Sequence, residues 1–177
     1  RKMGSFQKSK KPILINELKQ IIKAIDKANH SQERAIRDRA IILTGFAGGF
    51  RRSELVSIDY EDLEFVTEGV KIFIKRSKTD QSGEGMIKAL PYFENNKFCA
   101  VTFLKKWIEI SKIKSGLIFD IADKSVALLI KKYISIAGID QNKYSGHSLR
   151  SGFATVSAEF GADERSIMTM TGHKTTQ

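Results

Sequence analysis

The hydrophobic period of the chain changes twice along its length, and this change restricts the folds that it can adopt. Between residues 63 and 90 the apolar residues follow the pattern of short strands, whereas on both sides they recur at helical spacing. Strands are predicted at 63–66, 70–74 and 86–90, and the polar turns between them favour antiparallel pairing. The sequence therefore predicts an α+β domain that is mainly helical and carries a small three-stranded antiparallel sheet.

Helical spacing places the remaining elements before and after this sheet. Asn16 is a residue type that caps helices, and the apolar residues from Leu18 to Ile25 follow it at helical spacing. Further helices are predicted at about 32–46, 52–58, 96–110, 124–137, 148–160 and 163–170. Residues 1–11 are basic and polar, which predicts a linker or lead-in from an upstream domain, and residues 12–177 are predicted to form one domain.

Charge and composition indicate what the chain acts on. The formal net charge is +10, which favours a nucleic acid as partner. Cys99 is the single cysteine, so an intrachain disulfide is excluded and an intracellular protein is predicted. No apolar run approaches a membrane span, so no membrane partner is expected. No Cys/His cluster has metal-ligand spacing and no nucleotide-binding glycine loop is present, so we expect no metal and no cofactor.

The strongest candidate for a site lies in residues 144–150, which read Tyr-Ser-Gly-His-Ser-Leu-Arg. His147 and Arg150 are three positions apart and share one face of a helix. Gly146 and Ser148 suit a turn that opens into that helix. Arginine offers a bidentate fork to phosphate, and the amides of a first helical turn add partial positive charge. Together with the net charge, this pattern predicts a site for a nucleic-acid phosphate.

Two further motifs accompany this one. Residues 49–55 read Gly-Phe-Arg-Arg-Ser-Glu-Leu, and Gly172 and His173 form a Gly-His pair near the last residue. In this order, with a lysine-bearing hairpin between them, the motifs resemble those of the tyrosine recombinase catalytic domain, the phage integrase family. The resemblance runs from about Pro12 to the last residue and implies the fold of that domain. The sequence around His147 is most similar to that of integrases of phages and mobile elements.

The resemblance implies a role for each matching residue. Arg51 matches the first catalytic arginine of the family, and Glu54 matches the acidic residue that supports the site. Lys78 matches the catalytic lysine of the hairpin turn. His147 and Arg150 match the His-x-x-Arg pair, of which the histidine helps to remove a proton from the nucleophile. The position after this pair in the family order is matched by His173.

Several of these positions have rivals in the sequence. By sequence alone Arg52 is as good a candidate as Arg51, and three basic residues of the hairpin compete with Lys78. The resemblance selects Arg51 and Lys78. The basic residues that remain are predicted to bind DNA: Arg52, Lys75, Arg76 and Lys88.

The resemblance also implies the reaction and the partners. A tyrosine hydroxyl would attack a DNA phosphodiester, leaving a 3′-phosphotyrosine bond and a free 5′-hydroxyl, and rejoining would complete site-specific recombination or integration. The partner implied is double-stranded DNA. The full-length enzyme is expected to be a homotetramer on two duplexes, with an N-terminal core-binding domain, whereas these 177 residues are expected to be a monomer. A cytoplasmic location, in a bacterium or phage and near the nucleoid, is expected.

The nucleophilic tyrosine is expected about nine residues beyond His173, which lies past Gln177. The catalytic domain is therefore predicted to be incomplete at its C-terminal end, and this stretch is predicted to bind DNA without cleaving it. Two alternatives stay open: a non-catalytic DNA-binding module that descends from an integrase, and a type IB topoisomerase. The compact hairpin and the wording around His147 favour the recombinase.

Overall fold

The computed structural model describes residues 9–28, 30–75 and 83–161. Within these ranges three helices precede a sheet and three follow it. The helices are α1 (Ile15–Lys27), α2 (Gln32–Ala47), α3 (Arg52–Val56), α4 (Ala100–Ser111), α5 (Asp123–Ile136) and α6 (Ser148–Glu159). The strands are β1 (Leu63–Val66), β2 (Gly69–Ile74) and β3 (Met86–Pro91). The predicted class, mainly helical with a three-stranded antiparallel sheet, is confirmed.

The sheet has the strand order β1-β2-β3, and both pairings are antiparallel. Ile72 at its centre pairs with Leu63 on one side and with Lys88 on the other. Because side chains alternate along a strand, Ile72 and Lys88 face inward together, whereas Lys71 and Phe73 face solvent. The predicted strand bounds were right to within one residue at every end.

Helix α2 lies at the centre of the core and packs against α1, α4 and α6. Its segment Ala40–Gly45 is buried at every position, so α2 has no single apolar stripe. The side chain of Ser31 caps its first turn by accepting a hydrogen bond from Arg34 N–H, at 3.2 Å. The C-terminal end of this buried helix is the point from which the chain turns into the candidate site.

The start of α1 differs from the prediction. Asn16 is not the cap, because α1 begins at Ile15 with Leu14 at the cap position and without a side-chain cap. The segment before α1 is held instead by α6, where Ile13 N–H donates to Ser148 O at 2.9 Å. Gly152 makes this approach possible, because a Cβ there would lie 2.0 Å from the carbonyl oxygen of Ile13. A tertiary contact therefore sets where α1 begins.

Other helix bounds also moved. α4 begins at Ala100 and not at residue 96, because Asn96–Phe98 forms a separate 3-10 turn capped by Asn95. α3 ends at Val56, two residues earlier than predicted. The predicted helix at 163–170 lies outside the described residues. Across the part of the chain that the structure describes, no helix combines the length and the apolar character needed to cross a membrane.

Candidate active site

A tight turn between α2 and α3 presents Arg51. Gly49 adopts φ +58°, and the backbone N–H of Phe50 donates to Gly45 O at 3.1 Å, which folds the turn back on α2. Glycine at position 48 leaves room for the Phe50 ring, because a Cβ there would lie 2.2 Å from it. Phe50 is buried beneath the turn and anchors it in the core. Arg51 follows directly at the N-cap of α3 and is half-buried.

Glu54 links this turn to α6. Its carboxylate is buried, and Oε1 accepts a hydrogen bond from the backbone N–H of Arg51 at 2.8 Å. The same oxygen lies 3.5 Å from Nη1 of Arg150. The sequence predicted that Glu54 supports the site, and these contacts give it two positions to hold: the start of α3 and the first turn of α6.

Arg150 brings a buried cation to the cluster. Burial is the main cause that lowers the pKa of its guanidinium to about 10, and the neighbouring charge of Arg51 lowers it further while Glu54 opposes the shift. The guanidinium is therefore still charged at neutral pH. Because the Arg51 backbone and the Arg150 guanidinium both approach Oε1 of Glu54, the arginines of the two motifs lie at one locus. The structure thus brings together two residues that are almost a hundred positions apart in the sequence.

His147 occupies the N-cap position of α6 and is exposed, whereas Arg150 lies buried one turn below it. Two serines shape the turn that carries the imidazole. Ser145 N–H donates to Ser148 Oγ at 2.9 Å, and His147 N–H donates to Ser145 Oγ at 3.2 Å. Ser148 thus shapes the turn before the helix, as its hydroxyl accepts from a residue upstream. The result is an imidazole at the solvent side of a buried guanidinium.

The predicted DNA-binding residues have different surroundings. Arg52 is half-buried and lies across Gly146, where a Cβ would stand 2.3 Å from Arg52 Cδ. Lys75 is exposed, but its Nζ pairs with Asp59 at 2.5 Å and with Asp62 at 3.4 Å. The hydrogen bond to Asp59 is the main cause that raises the pKa of Lys75. Two carboxylates therefore pair with this exposed lysine, and its contact with DNA stays a prediction.

Lys88 requires a correction. It was predicted to bind DNA, but its side chain is completely buried on the inner face of β3. Its Nζ donates to Gly48 O at 2.9 Å and lies 3.4 Å from Gly49 O, with the Phe50 ring centroid at 4.5 Å. Burial lowers its pKa to about 8. Lys88 therefore supports the turn that carries Arg51 from below, and it does not form a surface contact.

One signal in the sequence could have located Lys88. In a strand with alternating faces, residue 88 has the same parity as Met86 and Leu90, so it belongs to the inner face. Because lysine is charged, residue 88 was predicted to lie at the surface despite its place on the inner face of the strand. Lys78, Arg76 and His173, which were also predicted as site residues, lie outside the described residues.

Comparison with known proteins identifies the family. The chain matches the phage integrase family over residues 12–177. It is 45% identical to the integrase/recombinase xerD homolog of Selenomonas ruminantium, over 98% of this chain and 54% of that protein. It is 32% identical to tyrosine recombinase XerC of Syntrophus aciditrophicus (strain SB), over 78% of this chain and 46% of that protein. The chain therefore belongs to the phage integrase family, the tyrosine recombinases, as its motifs predicted.

Solved structures show the same fold. XerH site-specific recombinase, in a post-cleavage complex with palindromic difH substrate, matches with a TM-score of 0.78 at 21% identity, over 95% of this chain and 48% of that chain. A lambda integrase dimer bound to a COC′ core site matches with a TM-score of 0.70 at 15% identity, over 99% of this chain and 49% of that chain. The chain spans about half the length of the curated relatives that it matches.

Proposed function

We propose that the full-length protein is a site-specific recombinase that breaks and rejoins DNA by tyrosine-mediated transesterification. The carrying observation is the cluster around Glu54, whose carboxylate accepts the backbone N–H of Arg51, lies 3.5 Å from Nη1 of Arg150 and interacts electrostatically with the ammonium of Lys88. The cluster keeps a surplus of positive charge in a partly buried place, and His147 is exposed at the start of the helix that carries Arg150. An anion with two exposed oxygens, such as a phosphodiester, fits this surplus.

In this reaction the tyrosine oxygen forms a bond to phosphorus, and the bond from phosphorus to the 5′-oxygen breaks. The pentacoordinate transition state carries more charge on the non-bridging oxygens than the ground state does. Arg51 and Arg150, fixed in advance by Glu54, stabilise this extra charge. His147 accepts the proton of the tyrosine hydroxyl, and its exposed position at the start of α6 is compatible with a substrate-facing role.

Two further roles complete the scheme and rest on the family resemblance. Lys78 donates a proton to the leaving 5′-oxygen, and His173 donates a hydrogen bond to a non-bridging oxygen. A substrate with a 5′-thiol leaving group needs no proton donor, so it should restore cleavage to a Lys78→Ala variant of the full-length protein. A variant that stays inactive on this substrate would assign the general-acid role to another residue.

DNA binding by these 177 residues would be dominated by phosphate contacts. The net charge of +10 supports this proposal, as does the half-buried, basic Arg52 beside the site. Phosphate contacts release counterions, so the logarithm of the binding constant should fall linearly with the logarithm of the salt concentration. Titration of a labelled duplex at several salt concentrations measures this slope, and a flat response would contradict the proposal.

These residues alone should not cleave DNA, because their tyrosines are unsuited to attack. Tyr133 is buried and donates its hydroxyl hydrogen to Asp38, and Tyr144 is buried as well. The hydroxyl of Tyr92 accepts a hydrogen bond from Lys105, and Tyr60 lies in a 3-10 turn before the sheet. A covalent adduct on a nicked duplex, seen on a denaturing gel, should form with the full-length protein only. An adduct with the 177 residues would refute this proposal.

The full-length protein would contain a core-binding domain upstream and would assemble as a tetramer on two duplexes in the bacterial or phage-infected cytoplasm, at the nucleoid. The chain covers about half of its relatives, and one solved structure of this fold is a lambda integrase tetramer bound to a Holliday junction. Light scattering of the full-length protein with two duplexes measures the assembly. DNA binding without any covalent adduct in the full-length protein would instead identify a non-catalytic module.

A further inference from the structure

Lys88 stands out because nothing in its surroundings neutralises it directly. It is completely buried, and among the described residues it takes part in no ion pair. Its ammonium group is directed at the carbonyl oxygens of Gly48 and Gly49 and lies above the ring of Phe50. A buried ammonium is expensive to desolvate, and an apolar side chain of similar length is often as stable or more stable in such a place. Stability alone therefore does not account for a lysine here.

The groups that Lys88 contacts explain what its position achieves. The carbonyls of Gly48 and Gly49 belong to the C-terminal end of α2, where helix carbonyls lose their partners and carry partial negative charge. These residues and Phe50 form the turn that leads directly into Arg51. Lys88 thus connects β3 to Gly48, Gly49 and Phe50. The turn that these residues form determines where the backbone of Arg51 lies.

The charges around Lys88 point to the same locus. Glu54 raises the pKa of the ammonium, whereas Arg150 and Arg51 lower it. These three groups belong to α3, to α6 and to the turn before α3, so the ammonium of Lys88 is coupled electrostatically to the residues of the proposed phosphate site. A cation at this depth adds to the field at the site without occupying its surface.

We propose that Lys88 is a positioning residue of the active site, which holds the turn at Gly48, Gly49 and Phe50 so that Arg51 is placed for the scissile phosphate. This proposal rests on the proposed recombinase function. Lys88 itself contacts no reacting atom, since its ammonium is covered and spends its hydrogen bonds on carbonyls. Its effect on catalysis therefore passes through Arg51.

The first arm of the test measures the turn itself and needs no activity. Lys88→Met keeps the length of the side chain and removes the charge and the donor. Amide hydrogen exchange of Phe50 and Arg51, whose N–H groups donate to Gly45 O and to Glu54, should accelerate by about tenfold or more. The matched control is Lys71→Met, which removes a lysine from the exposed face of the neighbouring strand and should leave both amides unchanged. Unchanged exchange in Lys88→Met would overturn the proposal.

The second arm measures single-turnover cleavage by the full-length protein at saturating DNA. Lys88→Met should slow the cleavage rate by on the order of 100-fold, as expected for a displaced catalytic group, with DNA affinity nearly retained. In an Arg51→Ala background the same substitution should have no further effect, because the group that it positions is gone. Independent, multiplying losses would overturn the proposal. If the wild-type protein forms no adduct at all, the recombinase function fails, and the exchange arm still decides whether Lys88 holds the turn.

Discussion

The chain buries two carboxylates, Asp38 and Glu54, and the cations around them differ in how far they are exposed to solvent. Asp38 of α2 accepts two hydrogen bonds from Arg37 and one from Tyr133, and Arg34 lies 3.9 Å away. The side chains of these arginines are 26% and 53% exposed, so water screens their charge. The charge of Asp38 is thus compensated by arginines that water reaches, and the cluster joins α2 to α5.

The cluster around Glu54 is not balanced in this way. Arg150 is only 7% exposed and Lys88 is completely buried, so these two cations are hidden together with the carboxylate, whereas Arg51 is half-buried. Within the described residues Glu54 Oε2 accepts no hydrogen bond, whereas both oxygens of Asp38 do. Buried cations that outnumber a buried carboxylate leave a field that an incoming anion can complete. The exposure of the cations, more than burial of the acid, distinguishes the two places.

The largest effect should come from Arg150, the buried guanidinium of the Glu54 cluster. Arg150→Lys keeps a charge but loses the planar fork, so single-turnover cleavage by the full-length protein should fall by roughly 100- to 1,000-fold. Arg34→Lys in the Asp38 cluster is the matched control and should cleave at the wild-type rate. Formation of the covalent adduct over time measures both rates. Equal losses in the two variants would remove the distinction between the clusters.

Neutralising each carboxylate should lower the free energy of unfolding by different amounts in the two clusters. Glu54→Gln leaves Arg150 and Lys88 buried without compensation, which should lower the free energy of unfolding by about 3 to 5 kcal/mol. Asp38→Asn leaves cations that water already screens, so the loss should be only about 1 to 3 kcal/mol. Urea unfolding measures both values.

Phosphate sharpens the same experiment. An anion that binds the uncompensated cations should restore part of the stability of Glu54→Gln, because it binds the folded state only. Sodium phosphate and sodium chloride at matched ionic strength should therefore differ for Glu54→Gln and not for Asp38→Asn. Equal responses of the two variants to phosphate would show that the Glu54 cluster is not an anion site.

The sequence predicted the parts of this arrangement that are locally encoded. Strand bounds followed from alternation, and Arg51, Glu54, His147 and Arg150 followed from motifs. The structure joins Arg51, Glu54 and Arg150 by contacts and places His147 at the start of the helix that carries Arg150. The bounds of α1 and α4 did not follow from local signals. The start of α1 depends on a contact of Ile13 with α6, more than a hundred residues away in the sequence.

Lys88 and Lys75 show why the roles of basic residues were harder to predict. Lys88 is buried because the carbonyl end of α2, about 40 residues earlier, offers acceptors to it. Lys75, just after the end of β2, is neutralised by Asp59 and Asp62, which lie in the segment directly before β1. The partners of a lysine depend on tertiary contacts that periodicity does not contain. Both lysines looked alike in the sequence, as basic residues of one hairpin.

The pH dependence of stability should reveal the buried charge of Lys88. Its pKa is about 8 in the folded state, against 10.5 for an unburied lysine, so the unfolded state binds the proton more tightly. Below about pH 8 the charged group therefore destabilises the fold fully, and this effect is relieved as the pH rises toward the unfolded value. The shift corresponds to roughly 3 kcal/mol at most.

Urea unfolding of the wild-type protein and of Lys88→Met, from neutral pH to about pH 10, isolates this contribution. The stability of the wild type relative to the variant should rise over this range. Lys75→Met is a suitable control, because the hydrogen bond to Asp59 raises the pKa of Lys75, so its contribution to stability changes with pH in the opposite direction. A constant difference between the wild type and Lys88→Met would mean that the ammonium of Lys88 is not desolvated in the folded protein.

The smallest effect should come from the neutral member of the Asp38 cluster. Tyr133→Phe removes the hydroxyl that donates to Asp38 Oδ2 and keeps the ring in the core, so no large cavity forms. The oxygen left behind is buried, but Arg34 lies within reach at 3.9 Å and Arg37 still holds Oδ1. The loss of unfolding free energy should therefore be about 1 to 2 kcal/mol, the range for one buried acceptor without its donor. Cleavage by the full-length variant should match the wild type, because the Tyr133 hydroxyl is bound to Asp38 of α2 and, among the described residues, no hydrogen bond or ion pair joins it to Glu54. Urea unfolding gives the first value and adduct formation the second. A cleavage rate that drops with stability unchanged would place Tyr133 in the active site and remove the separation between the two carboxylate clusters.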